Sequence, residues 1–121
     1  MPLDLDALME RSDELWEESI LPSLKKFIEI EALSPAFEPN WADKGELDAT
    51  IDLFCSWLDN QHLSGMSYEV HKIKDSTPIL LVDIEGTGPG EVIFYSHLDK
   101  QPSKPELWSE GLHPLKGVRR D

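Results

Sequence analysis

Three strand-like runs, residues 67–73, 79–85 and 91–95, are separated by short connections that contain Asp75-Ser76-Thr77-Pro78 and Gly86-Thr87-Gly88-Pro89-Gly90. Parallel neighbours need a crossover of a dozen residues or more, so such short connections force the chain to reverse at each one. The expectation is an antiparallel meander within a mixed sheet. Its third run, Val92, Ile93, Phe94 and Tyr95, is the most apolar and is expected innermost, since a strand covered on both faces carries no alternation. The glycine-rich connection is expected to be a hairpin turn and not a phosphate cradle, because no helical pattern and no Gly-Lys-Ser/Thr follow it.

The preceding half reads as helix. Leu5, Leu8, Met9, Leu15, Trp16, Ile20, Leu24, Phe27 and Ile28 recur at helical spacing, with acids and lysines on the opposite face. Pro22 lacks a backbone donor and would clash inside a regular helix, so a break is expected near it. Ser34, Pro35, Pro39 and Asn40 then open a loop running past Trp41 to Gly45, long enough to shape a pocket wall. A further helix is expected over 46–62, with Leu47, Ile51, Phe54, Cys55 and Leu58 as its apolar stripe and Gly65 available to end it. The fold class is therefore α/β: two or three N-terminal helices packed on part of a mixed sheet, with the meander leading into the run that ends at Ser96.

Composition removes several function classes. The chain has 24 acidic and 11 basic residues, a formal charge of −13, which opposes binding to nucleic acid or to an anionic membrane surface. Cys55 is the single cysteine, so no internal disulfide and no thiolate cluster for zinc can form. Placed on an apolar stripe, it reads as a small buried hydrophobe. The start, Met1-Pro2-Leu3-Asp4, lacks a basic region and a long apolar core, and no run approaches membrane-spanning length. The default expectation is a soluble, cytoplasmic protein. At 121 residues one modest core is all that can form.

The third run ends in Ser96-His97-Leu98-Asp99. Residues two apart in extended backbone point to the same side, so His97 and Asp99 can act together. A histidine that ligates a metal needs its second ring nitrogen held by an acceptor, and Asp99 is placed to supply one. The candidate metal ligand is His97, and Asp99 is the candidate catalytic partner that orients it. Elsewhere, His113 between Leu112 and Pro114 reads as loop packing, His62 as a helix-end residue, and His71 as a strand-face residue. Trp108 is expected to pack beneath the loop that carries it, and Lys100 to face solvent, with a substrate carboxylate as its alternative contact.

The run Tyr95-Ser96-His97-Leu98-Asp99-Lys100-Gln101-Pro102 resembles the N-terminal part of the zinc-dependent peptidases and amidohydrolases that include carnosinase-like dipeptidases, aminoacylase and succinyl-diaminopimelate desuccinylase. In that superfamily a strand ends in Tyr/Gly-His-x-Asp-Val-Gln-Pro, followed by a Trp and a Pro-aromatic or Pro-aliphatic pair, here resembled by Trp108 and Pro114-Leu115. Ile28-Glu29-Ile30-Glu31-Ala32-Leu33-Ser34-Pro35 is similar to the Ile-Pro-Ser-x-Ser segment that closes the first long helix, with Glu31 and Ala32 departing from it. Lys100 stands where the superfamily usually has Val.

The resemblance implies that His97 binds one of two bridged zinc ions, with manganese or cobalt as substitutes, and that Asp99 orients His97. It implies a dipeptide or an N-acyl amino acid as substrate, and a homodimer formed through a region absent from these residues. The bridging Asp, the Glu that serves as general base, the further carboxylate ligands and a distal His have no matching positions. The expectation is thus an incomplete N-terminal part of a metallopeptidase catalytic domain over 1–121, inactive alone. The alternative from a different class is a non-catalytic acidic α/β module acting through protein contacts; a metallo-phosphoesterase is disfavoured because paired His and Asp-rich motifs are missing.

Overall fold

The computed structural model describes residues 2–120 and is mixed α/β. It divides into two compact units: one joins the N-terminal segment through Glu29 with the segment from Ser103 onward, and the other is Ile30–Pro102.

In the first unit, Asp4 starts helix α1 (Leu5–Leu15) by accepting a hydrogen bond from the Ala7 amide at 3.1 Å, and so satisfies one of the amides that a helix start leaves over. The expected break at Pro22 does not occur. The helix widens instead into a π turn over Trp16–Ile20, in which the Leu21 amide donates to the Trp16 carbonyl, five residues back, before α2 (Leu21–Glu29) resumes. A regular helix would press the Pro22 ring against the Glu18 carbonyl, and the wider turn just before it relieves that clash. Leu5, Leu8 and Met9 on α1 stay exposed. After Ser103 the chain is irregular apart from a 3-10 turn at Pro105–Leu107, and Arg119 pairs with Glu17 at 2.8 Å. That guanidinium holds the Glu17 carboxyl below the usual carboxylate range. Trp108 remains half exposed, contrary to its expected packing beneath the loop.

The second unit contains the core. The loop expected over 34–45 includes a short helix, α3 (Trp41–Lys44), steadied by a Lys44–Glu38 ion pair. Gly45, at φ 70°, ends α3 and lets α4 (Glu46–Asp59) begin at once; an L-residue would be strained there. Leu47, Thr50, Ile51 and Leu58 are the buried residues of α4. Thr50 can be fully buried because its hydroxyl donates to the Glu46 carbonyl at 2.9 Å. Cys55 is partly buried; burial, reinforced by Asp52 and Asp59, pushes its thiol up, which suits a packing residue and not a nucleophile.

Strands β1 (Met66–His71) and β2 (Ile79–Ile84) form the expected antiparallel hairpin, with Met66 opposite Ile84 and His71 opposite Ile79. Two polar contacts fasten β1 to α4: Tyr68 donates to Asp59 at 2.8 Å, and Lys72 just past the strand pairs with Asp48 at 2.8 Å. The hydrogen bond to Asp59 favours the neutral phenol, so Tyr68 is pushed up to about 12 from its ordinary 10. A proton held more tightly in the folded state stabilises it fully below the unfolded value and ceases to do so as pH rises through the folded one. Tyrosinate absorbance from Tyr68 is therefore expected to rise near pH 12, and Asp59→Asn to bring that transition down toward 10; an unchanged midpoint in the variant would refute the assignment.

The third expected strand does not form. Among the described residues the sheet has two strands, and Val92, Ile93, Phe94 and Tyr95 are 80 to 93% exposed. A run that is apolar on both faces needs a neighbouring strand and a layer on each side before it gains anything from burial. The Gly-Pro-rich connection does not fold the run back onto β2, and it is left uncovered.

Candidate functional site

The chain from Ser96 to Pro102 lies outside regular structure, and its anchor is Lys100. Lys100 makes a parallel bridge with Leu33: its amide donates to the Ala32 carbonyl at 2.8 Å, and its carbonyl accepts from the Ser34 amide at 2.9 Å. Ala32 is fully buried. The Ser34 carbonyl accepts in turn from Phe37 and Glu38, at 2.8 and 3.0 Å, so the strip that receives Lys100 is itself closed into a turn. The 28–35 stretch and the 95–102 stretch thus meet at residues 32–34 and 100.

Two residues before the bridge, His97 and Asp99 come together as their spacing predicts. The His97 Nδ1 lies 2.8 Å from the Asp99 Oδ1 and 3.0 Å from the Asp99 backbone carbonyl. A carbonyl oxygen only accepts, so Nδ1 carries the proton and donates, and in the neutral imidazole the lone pair sits on Nε2. The Asp99 side chain is 32% exposed and that of His97 71%, so the more sheltered carboxylate holds the more accessible ring. This is the arrangement in which histidine presents Nε2 to a metal while a carboxylate fixes its tautomer.

The other histidines are placed differently. The His113 Nδ1 accepts from the Leu115 amide at 3.1 Å, which leaves its proton on Nε2 and fits the expected loop-packing role. His71 has its Nε2 against the Glu69 carboxylate at 2.9 Å, on the exposed hairpin. His62 follows α4 at φ 49°, in the left-handed region. Among the described residues no group of three or more His, Cys, Asp or Glu side chains is placed to hold a metal ion. A catalytic zinc normally takes three ligands from protein, of which His97 would be one.

Lys100 departs from expectation. Its side chain does not project into solvent; the ammonium donates to the Ile30 carbonyl, across 70 residues of sequence, and is partly buried. Burial pulls the ammonium below its ordinary value, and the neighbouring Glu31 carboxylate partly offsets this. No sequence signal announces the contact, because its acceptor is a backbone carbonyl present at every residue.

One further concavity, about 290 Å³, belongs to the other unit; Trp16, Leu21, Leu24, Ile28 and Val118 give it an apolar lining, with Lys25 and Arg119 beside them. It shares no residue with the His97–Asp99 pair. Among the described residues no helix is long and apolar enough to cross a membrane. No family model and no curated protein matches the chain.

Proposed function

We propose that this chain supplies part of the site of a metal-dependent hydrolase of peptide or N-acyl amide bonds, of dipeptidase type, with His97 as one metal ligand and Asp99 as the carboxylate that orients it. The observation that carries the reading is the Nδ1 proton of His97 held between the Asp99 carboxylate and carbonyl, which turns the Nε2 lone pair outward. The resemblance of residues 95–102 to the zinc-dependent peptidases and amidohydrolases gives that geometry its chemical class. Bound divalent metal, zinc or in its place manganese or cobalt, supplies Lewis acidity at the scissile carbonyl and an acidified water. His97 holds its share of the metal; Asp99 keeps the proton off Nε2 and fixes the plane of the ring.

One histidine does not make a hydrolytic centre. The reading assigns the remaining ligands and the general base to polypeptide other than these 121 residues, and it expects residues 1–121 alone to show negligible hydrolysis. Zinc-dependent cleavage of dipeptides by the purified 121 residues, abolished by His97→Ala, would refute that expectation. The test of the function itself is made at the native length of the polypeptide: bound zinc and hydrolysis of dipeptides and N-acyl amino acids should both depend on His97.

A second reading is favoured by one observation, the exposure of residues 92–95. An acidic, non-catalytic module would use such an uncovered apolar run to pair with a partner chain. Under that reading the native-length protein takes up no zinc through His97.

A further inference from the structure

The concavity of the first unit owes its lining to the π turn. Trp16 and Leu21 both line it. Five residues apart in a regular helix of 3.6 residues per turn, they would stand about 140° from each other around the axis. The Leu21 amide closes instead onto the Trp16 carbonyl, so the two residues stack as a pair four apart does in an α-helix. Leu24, Lys25 and Ile28 follow Leu21 at the three-, four- and seven-residue spacing of one helical face, and all three line the same hollow. The π turn thus adds an indole to a face that a regular helix would have kept from it. The other wall comes from Gly117, Val118 and Arg119. A Cβ on Gly117 would lie 2.7 Å from the Lys25 Cγ, so the lysine stem rests on bare backbone there.

Size and charge restrict what such a hollow can take. Its 290 Å³ is almost twice the ~150 Å³ of an apolar cavity that takes up benzene, and at the ~30 Å³ that a water occupies in the liquid it holds about ten non-hydrogen atoms. The charged residues that line it are two cations and no acid, in a chain of net charge −13. Arg119 is committed to Glu17 at 2.8 Å. Lys25 forms no ion pair among the described residues; Glu17 feels its charge but bonds to Arg119. Trp16 and Val118 stay nearly half exposed, so the apolar lining is open to entry from water.

We propose that this hollow binds a small amphiphilic carboxylate, its body of about eight carbons against Trp16, Leu21, Leu24 and Val118 and its carboxylate at the Lys25 ammonium. An apolar lining then supplies most of the affinity and a single cation sets the direction of entry, as in small-molecule sites generally. The site lies apart from the His97–Asp99 pair and does not depend on the hydrolase reading.

The experiment titrates octanoate into the 121-residue chain and follows the four indole N–H signals by NMR, with Trp41, Trp57 and Trp108 as internal controls for Trp16. Octanoate is expected to shift the Trp16 signal saturably and to leave the other three in place. Octylammonium, with the same body and the opposite head, is expected to bind more weakly. Lys25→Met keeps the apolar stem and is expected to weaken octanoate about three- to fivefold, the loss of a solvent-accessible ion pair. Val118→Asp puts a like charge into the mouth and is expected to abolish the shift. No saturable change at Trp16, equal movement of all four indoles, or equal affinity for octanoate and octylammonium overturns the proposal. So does a Trp16 signal that responds in the 121-residue chain but not at the native length of the polypeptide, which would give the hollow to another segment of chain.

Discussion

If the proposed hydrolase reading holds, the His97→Ala protein at its native length is expected to hydrolyse dipeptides and N-acyl amino acids about three orders of magnitude more slowly than the unaltered one, with no recovery on adding zinc. Losing a ligand forfeits several kcal/mol of transition-state stabilisation, and each ~1.4 kcal/mol is a factor of about ten in rate. Asp99→Ala behaves differently. The imidazole, its Nε2 and the residue 99 backbone carbonyl remain, but the carboxylate no longer holds the ring, so metal affinity is expected to fall about 10- to 100-fold and activity to return as the metal concentration is raised. The two variants are separated by measuring kcat/KM across a zinc titration: a plateau near the unaltered value for Asp99→Ala, and no recovery for His97→Ala. Activity and metal content that survive His97→Ala would eliminate the hydrolase role assigned to this histidine.

The second large effect is on stability, and it sets two apolar residues against each other. Ile51 on α4 is 4% exposed, and truncating a buried Ile to Ala costs about 2–4 kcal/mol through lost burial and the cavity left behind. Phe94 is 93% exposed, so Phe94→Ala is expected to change stability by no more than about 0.5 kcal/mol despite removing a larger side chain. Urea unfolding of the two variants, compared at equal m, ranks them. Since a small domain has only about 5–15 kcal/mol to lose, Ile51→Ala should show a clear drop in midpoint. The reverse ranking would mean that residues 92–95 form the core, as their sequence alone suggests.

That contrast locates where sequence reading succeeds. Helix α4 was legible because its buried residues, Leu47, Ile51 and Leu58, are spaced so that a single helix gathers them on one side, whatever else the chain does. The hairpin was legible because a short connection between two strand-forming runs, residues 72–78 in the fold, leaves little but reversal. The His97–Asp99 contact was legible for the same reason of locality: two residues apart is close enough for backbone geometry to decide. Residues 92–95 failed because innermost is a statement about neighbours, and apolarity specifies a need for cover without supplying it. The Lys100 tether lay outside reach because an ammonium can seek any of the chain's carbonyls, and its choice follows from a meeting of residues 70 apart. The four-residue helix α3 fell below the length at which periodicity can be read at all.

The π turn at Trp16–Ile20 has a consequence for how this helix tolerates changes in length. A π turn is an α-helix with one residue too many, absorbed locally so that the faces on either side keep their relation. Removing Glu18 should therefore leave the apolar faces of α1 and α2 aligned, whereas removing a residue from the middle of α1 would swing everything beyond it by about 100°. But the shortened helix would return Pro22 to a regular ladder, where its ring costs about 3 kcal/mol. The deletion and Pro22→Ala are thus tied as a pair: the extra residue is tolerable because of the proline, and the proline because of the extra residue, so neither is expected to be lost neutrally before the other.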